Sequence, residues 1–464
     1  MLMTEGTTAQ QSGPGTLVVG LGKTGLSCVR HLRRLGRRVT AVDSRSSPPA
    51  LAAVCEEFPE VRVTLGGFPR HAFQGVADIV VSPGVSLAEP ALEQAVAARI
   101  PVCGDIELFA RAVGATPVVA ITGSNGKSTV TTMVADMLRV DGKRVGVGGN
   151  LGMPALSLLD GERPEVYVLE LSSFQLETTD SLEPRVAALL NVSADHMDRY
   201  ADVQEYAHTK ARIFAGRGAM VLNRDDARVA AMALSRREVI FYTLGVPEIG
   251  EFGLRPGDDG DTLSFGETPI LAAHKLTVAG LHNVANGLAA MAISSLLGVS
   301  QVAMARALED FRGLPHRCQL LAEAGGVHWF DDSKATNVGA TVAAIVGLGG
   351  RRDSSLDDNG RLILIAGGDS KGADFSALAE PLAHYVRLAV LIGRDAGRLA
   401  AVAEGVVDFV HANGMAEAVQ IAHRQAQSGD SVLLAPACAS FDMYPNYEKR
   451  GDAFAAEVRR VLAS

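Results

Sequence analysis

A short glycine-rich segment with a lysine offers the most specific chemistry in the chain. It runs from Thr122 to Thr129 as Thr-Gly-Ser-Asn-Gly-Lys-Ser-Thr, between an apolar run typical of a buried strand and a helical run. Backbone N–H groups of such a loop surround phosphates, while Lys127 reaches the β- and γ-phosphates and the Ser128 hydroxyl holds Mg²⁺. Ile121 stands where the common pattern has its first glycine. The loop predicts that the chain handles a nucleoside triphosphate.

A second glycine pattern lies near the start of the chain. Gly20, Gly22 and Gly25 form a G-x-G-x-x-G turn between a strand pattern and a helix pattern, and Asp43 ends the next strand pattern. This is the dinucleotide fingerprint in its usual context. It leaves three interpretations open: a diphosphate site, an NAD-dependent dehydrogenase, or a tight turn that binds nothing. Lys23, inside the turn, is either solvated or close to a phosphate.

Polar side chains follow two apolar strand patterns of the central segment. Glu170 ends one strand and is a natural second ligand for Mg²⁺, although a surface glutamate would look the same. His196 follows the next strand, and it could be a metal ligand, a base or a hydrogen-bonded core histidine. Lys210 lies in the helical stretch 203–215 and by itself resembles an ordinary exposed lysine.

Three loops of the last third also follow strand patterns. They are 331–337, 367–371 and 436–441, and two of them contain lysines, which suits anionic groups. Turn chemistry alone explains much of their Gly, Asp and Ser content. Because the carboxyl ends of parallel strands meet at one edge, we expect the three loops to lie together.

Alternating strands and helices must position these residues. Each apolar run ends in a loop that bears Gly, Asp or Pro, which predicts an α/β fold with mostly parallel sheets. The stretch 347–360, rich in Gly, Asp and Ser, predicts an exposed loop. The predicted strands are 16–20, 38–43, 77–82, 117–122, 166–170, 186–191, 327–331, 361–366, 388–392 and 431–435.

Composition limits the class of protein. A chain of 464 residues favours two or three domains. With 52 acidic and 43 basic residues the net charge is −9, which argues against nucleic-acid binding. The five scattered cysteines indicate a reducing cytoplasm, with each thiol a small core residue. The uncharged stretch 276–305 predicts an amphipathic core helix and not a membrane span.

Together these motifs resemble those of the Mur ligases of bacterial peptidoglycan synthesis, over nearly the whole chain. Asp-Ser-Lys-Ala-Thr-Asn at 332–337 and Pro-Ala-Cys-Ala-Ser at 436–440 point to the D-glutamate-adding members. The phosphate loop and His-Asn-x-x-Asn at 282–286 are similar to those shared with folylpolyglutamate synthases, so such a synthase remains an alternative. The other matching segments are 20–27, 82–84, 148–152, 170–175, 195–199, 315–317 and 367–371.

The resemblance implies three domains and a reaction. A Rossmann-like UDP-substrate domain would span 1–114, with 1–15 a loose leader; a central ATPase domain with a P-loop-type sheet would span 115–313; and a Rossmann-like amino-acid-binding domain would span 314–464. The implied reaction joins D-glutamate to UDP-N-acetylmuramoyl-L-alanine through an acyl phosphate, with ATP and two Mg²⁺ ions. The implied enzyme is a cytoplasmic monomer without a membrane span or a nucleic-acid partner.

The resemblance also assigns roles to residues. It makes Lys127, Glu170, His196 and Lys210 catalytic, and it implies Mg²⁺ ligands at Ser128, Glu170, His196 and a carbamylated Lys210. The implied ATP site comprises Gly123, Ser124, Asn125, Gly126, Lys127, Ser128, Thr129, Asn283, Asn286, Arg317, Asp332 and Lys334. The implied UDP-substrate site comprises Lys23, Thr24, Asp43, Ser82, Gly84, Asn150, Ser172, Gln175 and His196. The implied D-glutamate site comprises Thr336, Lys371, Ser440, Phe441 and Tyr447.

Overall fold

A computed structural model describes residues 15–257, 260–278, 280–349 and 360–463. It divides into two compact units. Of the described residues, the first unit contains those within 15–120, 144–185 and 212–218, and the second contains those within 121–143, 186–211 and 219–463. Nearly all of the predicted leader, and residues 350–359 of the predicted exposed loop, lie outside the described residues.

The first unit begins with a five-stranded parallel sheet in the order β3-β2-β1-β4-β5. The order reverses between β1 and β4, so the crevice beyond their carboxyl ends is the natural ligand site of this sheet. Leu17, Ile79 and Leu92 belong to its core. The elements are β1 Thr16–Val19, α1 Lys23–Arg34, β2 Val39–Asp43, α2 Leu51–Glu57, β3 Arg62–Leu65, β4 Asp78–Val81, α3 Pro90–Ala97, β5 Val102–Cys103 and α4 Asp105–Ala112.

The middle of the chain supplies strands to both units. In the first unit β7 pairs with β8 in parallel. In the second unit β9, β10, β11 and β12 pair in parallel, and β13 and β14 add an antiparallel extension. The elements are β6 Val118–Thr122, α5 Lys127–Val140, β7 Val145–Gly149, β8 Val166–Glu170, α6 Ser173–Leu176, β9 Val186–Leu189, α7 Val203–Ala211, β10 Ala219–Asn223, α8 Ala227–Ala230, β11 Val239–Tyr242, β12 Phe252–Arg255, β13 Thr262–Phe265, β14 Thr268–Ala272, α9 Leu281–Ser295 and α10 Gln301–Asp310.

The last third of the chain forms a six-stranded sheet within the second unit. Its order is β15-β16-β20-β17-β18-β19, and only β15 is antiparallel to its neighbour. Separate apolar cores, around Ile345 and Trp329, pack on its two faces. The elements are β15 Gln319–Ala324, β16 Val327–Asp331, α11 Val338–Gly349, β17 Leu362–Gly367, α12 Ala379–Tyr385, β18 Val386–Ile392, α13 Ala396–Ala403, β19 Asp408–His411, α14 Met415–Gln425, β20 Ser431–Leu434 and α15 Tyr447–Leu462.

The α/β class and its mostly parallel sheets are confirmed, and three local predictions are wrong. The stretch 276–305 contains α9 and the start of α10 where one helix was predicted, because a turn around Gly298 separates them. The predicted loop 347–360 starts too early, since α11 continues to Gly349. Cys55 is exposed, unlike the other four cysteines. Among the described residues, no helix combines the length and apolarity that crossing a membrane requires.

Candidate active site

The phosphate loop joins β6 to α5 in the form that its sequence predicts. Gly123 and Gly126 have φ values of 158° and 81°, a region that favours glycine. A Cβ on Gly126 would overlap the amide oxygen of Asn286, whose own amide nitrogen donates to Asn283 at 3.2 Å. Lys127 Nζ donates to the carbonyls of Gly123 at 2.8 Å and Ser124 at 2.9 Å. The loop is therefore curled around its lysine, with both predicted ATP asparagines beside it.

The segment after β9 holds this loop in place. Asn191 accepts the Ser124 N–H on its carbonyl at 2.9 Å and the Asn125 N–H on its side chain at 2.8 Å. The Ser124 hydroxyl donates to the carbonyl of Ser193 at 3.0 Å. Asn191 was not among the predicted site residues. Its position at the end of an apolar strand was the available signal, since such positions face the crevice.

The loop also contacts the start of α11 in the last third of the chain. The Asn337 amide donates to Asn125 Oδ1 at 3.1 Å and to Asp195 Oδ2 at 3.0 Å. Its oxygen accepts the N–H of Ala340 at 2.8 Å, in the manner of a helix cap. Asn337 thus connects three polar loops, a role that its place in a turn-like motif did not reveal.

Arg317 and Asp332 lie at the helix end of the phosphate loop. The Arg317 guanidinium donates to Ser128 Oγ at 2.6 Å. Burial raises the pKa of Asp332 to about 7, against the lowering effects of the Arg317 charge and of the Cys318 backbone N–H. The predicted ATP residues Ser128, Arg317 and Asp332 are therefore neighbours, and the Asp332 carboxyl changes ionisation near neutral pH.

His196 stands among positive charges. It has a φ of 59°, and its Nε2 lies 3.6 Å from Asp195 Oδ2. Burial lowers its pKa, Asp195 opposes that, and the charges of Lys371, Lys127 and Lys210 lower it further. Three lysines that are remote in sequence thus act on one imidazole. Such a cluster suits a ligand with several negative charges.

Lys210 is not the exposed helix lysine that its local sequence suggests. It is only 1% exposed, and its Nζ lies 4.4 Å above the ring of Tyr206. The ring of Tyr206 in turn lies 6.4 Å from the ring of His196. Burial on an aromatic surface beside the histidine fits the catalytic position that the resemblance implies.

The three predicted loops of the last third follow adjacent strands. β16, β20 and β17 are consecutive neighbours, so the loops after them share one sheet edge, as predicted. Lys334 Nζ lies 3.9 Å over the ring of Tyr447, which joins a predicted ATP residue to a predicted D-glutamate residue. Ser440 is buried, whereas Phe441 is 71% exposed. Thr336 N–H donates to Lys334 at 2.7 Å, and Lys371 N–H donates to Asp369 at 3.0 Å.

Arg450 ties two of these loops together. It is fully buried, and its guanidinium donates to the carbonyl of Ser333 at 2.8 Å, the hydroxyl of Ser333 at 3.1 Å and the carbonyl of Cys438 at 3.0 Å. Burial lowers its pKa to about 10. Sequence reasoning missed Arg450 because it occurs in the charged run Glu448-Lys-Arg, which looks like a solvated helix face.

In the first unit, the glycine turn after β1 packs against the loop after β4. The Ser82 hydroxyl donates to the Gly20 carbonyl at 2.8 Å, and a Cβ on Gly20 would lie 2.9 Å from that of Ser82. Lys23 and Thr24 begin α1 at this turn, and Gly84 follows Ser82. The predicted UDP-substrate residues of these two loops therefore meet at the switch point of the sheet.

Asp43 lies at the end of β2, where it is buried. It accepts the Leu21 N–H at 2.6 Å and a two-pronged contact from the Arg45 guanidinium at 2.7 and 2.8 Å. Burial opposes ionisation of Asp43, but the Arg45 side chain and the backbone N–H groups lower its pKa to about 2. Arg45 is a cation at this edge that the sequence prediction omitted.

Glu170 is also not the surface residue of the alternative interpretation. It is 2% exposed, and its Oε1 accepts the Asn150 amide at 2.6 Å. Asn150 N–H donates to the Glu170 carbonyl at 2.8 Å. Just beyond, Ser172 caps α6 and exchanges hydrogen bonds with Gln175 at 3.1 and 3.2 Å. The structure thus pairs Asn150 with Glu170 and Ser172 with Gln175.

Within the described ranges, no group of three or more His, Cys, Asp or Glu side chains is arranged to hold a metal ion. A metal here would need other oxygen donors, such as the Ser128 hydroxyl, a modified lysine or phosphate. Oxygen donors of this kind are those that Mg²⁺ prefers, and it usually keeps substrate phosphates and waters among them.

Comparison with known proteins gives three successive family matches along the chain. Residues 15–104 match the Mur ligase MurD-like N-terminal domain, 121–294 the Mur ligase middle domain, and 316–438 the Mur ligase glutamate ligase domain. The UDP-N-acetylmuramoylalanine--D-glutamate ligase of Nitrosococcus oceani is 51% identical over 448 residues, 97% of each chain. The ligase of that name from Pseudomonas putida is 49% identical over 95% of this chain and 96% of its own.

A solved structure agrees with the fold. The MurF ligase of Thermotoga maritima in complex with ADP has a TM-score of 0.61 at 17% identity, with 97% of each chain covered. The N-terminal match and the near-complete coverage by the two relatives contradict the alternatives of a dehydrogenase and of a folylpolyglutamate synthase. With about half of its residues identical to those relatives along nearly its whole length, the chain belongs to the Mur ligase family.

Proposed function

We propose that this chain is an ATP-dependent ligase that joins D-glutamate to UDP-N-acetylmuramoyl-L-alanine in peptidoglycan precursor synthesis. The observation that carries the proposal is the Asn337–Asn125 hydrogen bond of 3.1 Å, because it brings the D-glutamate-type motif at 332–337 to the phosphate loop. The shared name of the two relatives supports the choice of substrates.

A carboxylate is a poor electrophile, so it must first be phosphorylated. A carboxylate oxygen of the UDP-substrate attacks the γ-phosphorus of ATP, and ADP leaves. Lys127 exchanges its loop carbonyls for phosphate oxygens and neutralises their charge. Arg317 orients Ser128 and adds a second positive charge. The product of this step is an acyl phosphate.

The amine of D-glutamate then attacks the acyl carbon. A tetrahedral intermediate forms, its nitrogen loses a proton to solvent, and it collapses with loss of phosphate, leaving the amide. Lys371, whose charge reaches His196, pairs with a carboxylate of D-glutamate, and Ser440 and Thr336 donate hydrogen bonds to it. Phe441 and Tyr447 border the amino acid. The lysine cluster around His196 attracts both the phosphate and the amino-acid carboxylates.

Two Mg²⁺ ions complete the proposal. Ser128 and Glu170 would hold one, and His196 with a carbamylated Lys210 would hold the other; when bound, they neutralise phosphate charge during transfer. Carbamylation turns an amine into an anionic oxygen ligand. The burial of Lys210 supports this, because it excludes the solvated role of a surface lysine.

The UDP-substrate would lie along the glycine turn and the Asp43 edge of the first unit, and along Asn150, Ser172 and Gln175. The proposed domains are 1–114, 115–313 and 314–464, close to the three family matches. The enzyme would act in the cytoplasm as a monomer. Sedimentation of the purified protein tests the monomeric state.

A substrate panel tests the proposal. Release of ADP should require both UDP-N-acetylmuramoyl-L-alanine and D-glutamate, with L-glutamate, L-lysine and meso-diaminopimelate assayed in parallel. Equal use of any of these amines would overturn the assignment. Tight NADH binding without binding of the UDP-substrate would overturn the ligase reaction itself.

A further inference from the structure

A buried carboxyl in the first unit has no part in the reaction just described. Asp105 is the first residue of α4 and is fully buried. Its Oδ2 accepts the side-chain amide N–H of Gln175 at 3.1 Å. Gln175 is one of the residues proposed to line the UDP-substrate path, so this contact links α4 to that path.

We propose that Asp105 is a positioning residue for the UDP-substrate, acting through the amide of Gln175 on Ser172. The inference rests on the proposed function, which supplies the substrate. A carboxylate only accepts hydrogen bonds, so it holds the nitrogen end of the Gln175 amide. The oxygen end must then face Ser172, where it accepts the backbone N–H at 3.1 Å and lies 3.3 Å from the hydroxyl.

The rest of α4 holds the same segment from its other end. Glu107 is buried and accepts the backbone N–H groups of Asp180 and Ser181, both at 2.8 Å. Gly104 N–H donates to the Thr178 carbonyl at 3.0 Å, and a Cβ on Gly104 would overlap the Thr178 side chain. The segment 172–181 is therefore fastened to α4 at both ends, and Asp105 holds the end that faces the substrate path.

Packing alone does not account for this carboxyl. Within the described residues, no hydrogen-bond partner is found for its second oxygen, Oδ1. Burial raises its pKa to about 6, although the Gln175 amide and nearby backbone N–H groups favour the charged form. A buried, half-paired carboxyl destabilises a fold compared with an apolar side chain of similar size. What Asp105 provides, which an apolar side chain would not, is a fixed orientation of the Gln175 amide.

Steady-state kinetics of the full-length enzyme test the inference. In Asp105→Ala, KM for UDP-N-acetylmuramoyl-L-alanine should rise about 10-fold, as expected when a hydrogen-bonded binding group loses its orientation. KM for ATP and for D-glutamate should stay within about 2-fold, because their proposed residues lie in the second unit. Asp430→Ala is the matched control, since Asp430 is an equally buried carboxyl far from these loops in sequence. It should lower the melting temperature without this selective change in KM.

A reciprocal pair of substitutions gives a test that does not depend on the alanine variant folding. Gln175→Glu places two carboxyls face to face and should raise KM for the UDP-substrate. Adding Asp105→Asn restores a donor–acceptor pair of reversed direction, with the new carboxylate still accepting from Ser172. KM should then return to within about 3-fold of the wild type.

The outcomes separate the inference from the function. Wild-type enzyme that does not use UDP-N-acetylmuramoyl-L-alanine overturns both. If the wild-type enzyme is active but the three KM values of Asp105→Ala are unchanged or change equally, the inference alone is overturned. Failure of Asp105→Asn to improve Gln175→Glu also overturns it.

Discussion

Replacement of Arg450 by methionine should destabilise the last third of the chain and weaken D-glutamate binding. The substitution keeps an apolar stem of similar length but removes every donor. The buried carbonyls of Ser333 and Cys438 then lose their guanidinium partners. The Ser333 hydroxyl keeps its bond to the Tyr447 carbonyl at 2.8 Å, so only two acceptors are left unpaired.

Two unpaired buried acceptors at ~1–3 kcal/mol each give a cost of ~2–6 kcal/mol. Release of the guanidinium from an environment that lowers its pKa to about 10 returns part of that cost. A net loss of ~1–4 kcal/mol remains, which corresponds to a fall in melting temperature of roughly 2–16 °C at ~2–4 °C per kcal/mol. Because the loops that Arg450 joins carry Thr336 and Ser440, KM for D-glutamate should rise more than KM for ATP.

Thermal unfolding by circular dichroism and ADP release at varied D-glutamate measure the two effects. Arg460→Met is the matched control, because Arg460 lies on the same helix with an exposed side chain. It should change the stability by no more than ~0.5 kcal/mol. An Arg450→Met enzyme that melts within ~1 °C of the wild type, with unchanged KM for D-glutamate, would refute the reasoning.

Three further expectations follow from the site. Lys210→Ala should remove most ADP release, and a small carboxylic acid should restore part of it. His208→Ala, on the exposed side of α7, is the control and should leave activity near the wild-type level. An active Lys210→Ala enzyme would show that the lysine is structural. Gly126→Ala should abolish ATP turnover. Gly142→Ala, at a similar φ of 85° with open space around it, is the control and should only lower the free energy of unfolding by ~1–2 kcal/mol. Equal losses of activity in the two variants would contradict the overlap with Asn286. Because the pKa of Asp332 is raised to about 7, the folded state binds more protons than the unfolded state between about pH 4 and 7, so this group lowers stability as pH rises through that window. Asp332→Asn should therefore gain stability relative to the wild type between pH 5 and pH 8 in urea unfolding, and a gain that is the same at both pH values would exclude the raised pKa.

Sequence reasoning succeeded where the signal is local. The glycines of 123–126 and the polar residues after β16, β17 and β20 were predicted because turn chemistry and apolar strand patterns are short-range. The local sequence around Lys210 wrongly indicated an exposed lysine, because its burial against Tyr206 depends on packing that no spacing encodes.

Long-range pairings account for the site residues that were missed. Asn191, Asn337, Arg450 and Asp105 act on partners that are 66, 212, 117 and 70 residues away. Each is an ordinary polar residue in its own segment. The strands β12 to β14 were not predicted for a different reason, because each has only four or five residues, β12 contains Gly253 and β14 contains Pro269.

The order of the last sheet has a consequence for the way the chain is made. β20 leaves the ribosome after the other five strands of this sheet, yet it is the shared neighbour of β16 and β17. A nascent or truncated chain that ends before residue 431 presents two unpaired strand edges, which favour aggregation. The three loops proposed to hold D-glutamate therefore assemble in one step, after β20 has been translated.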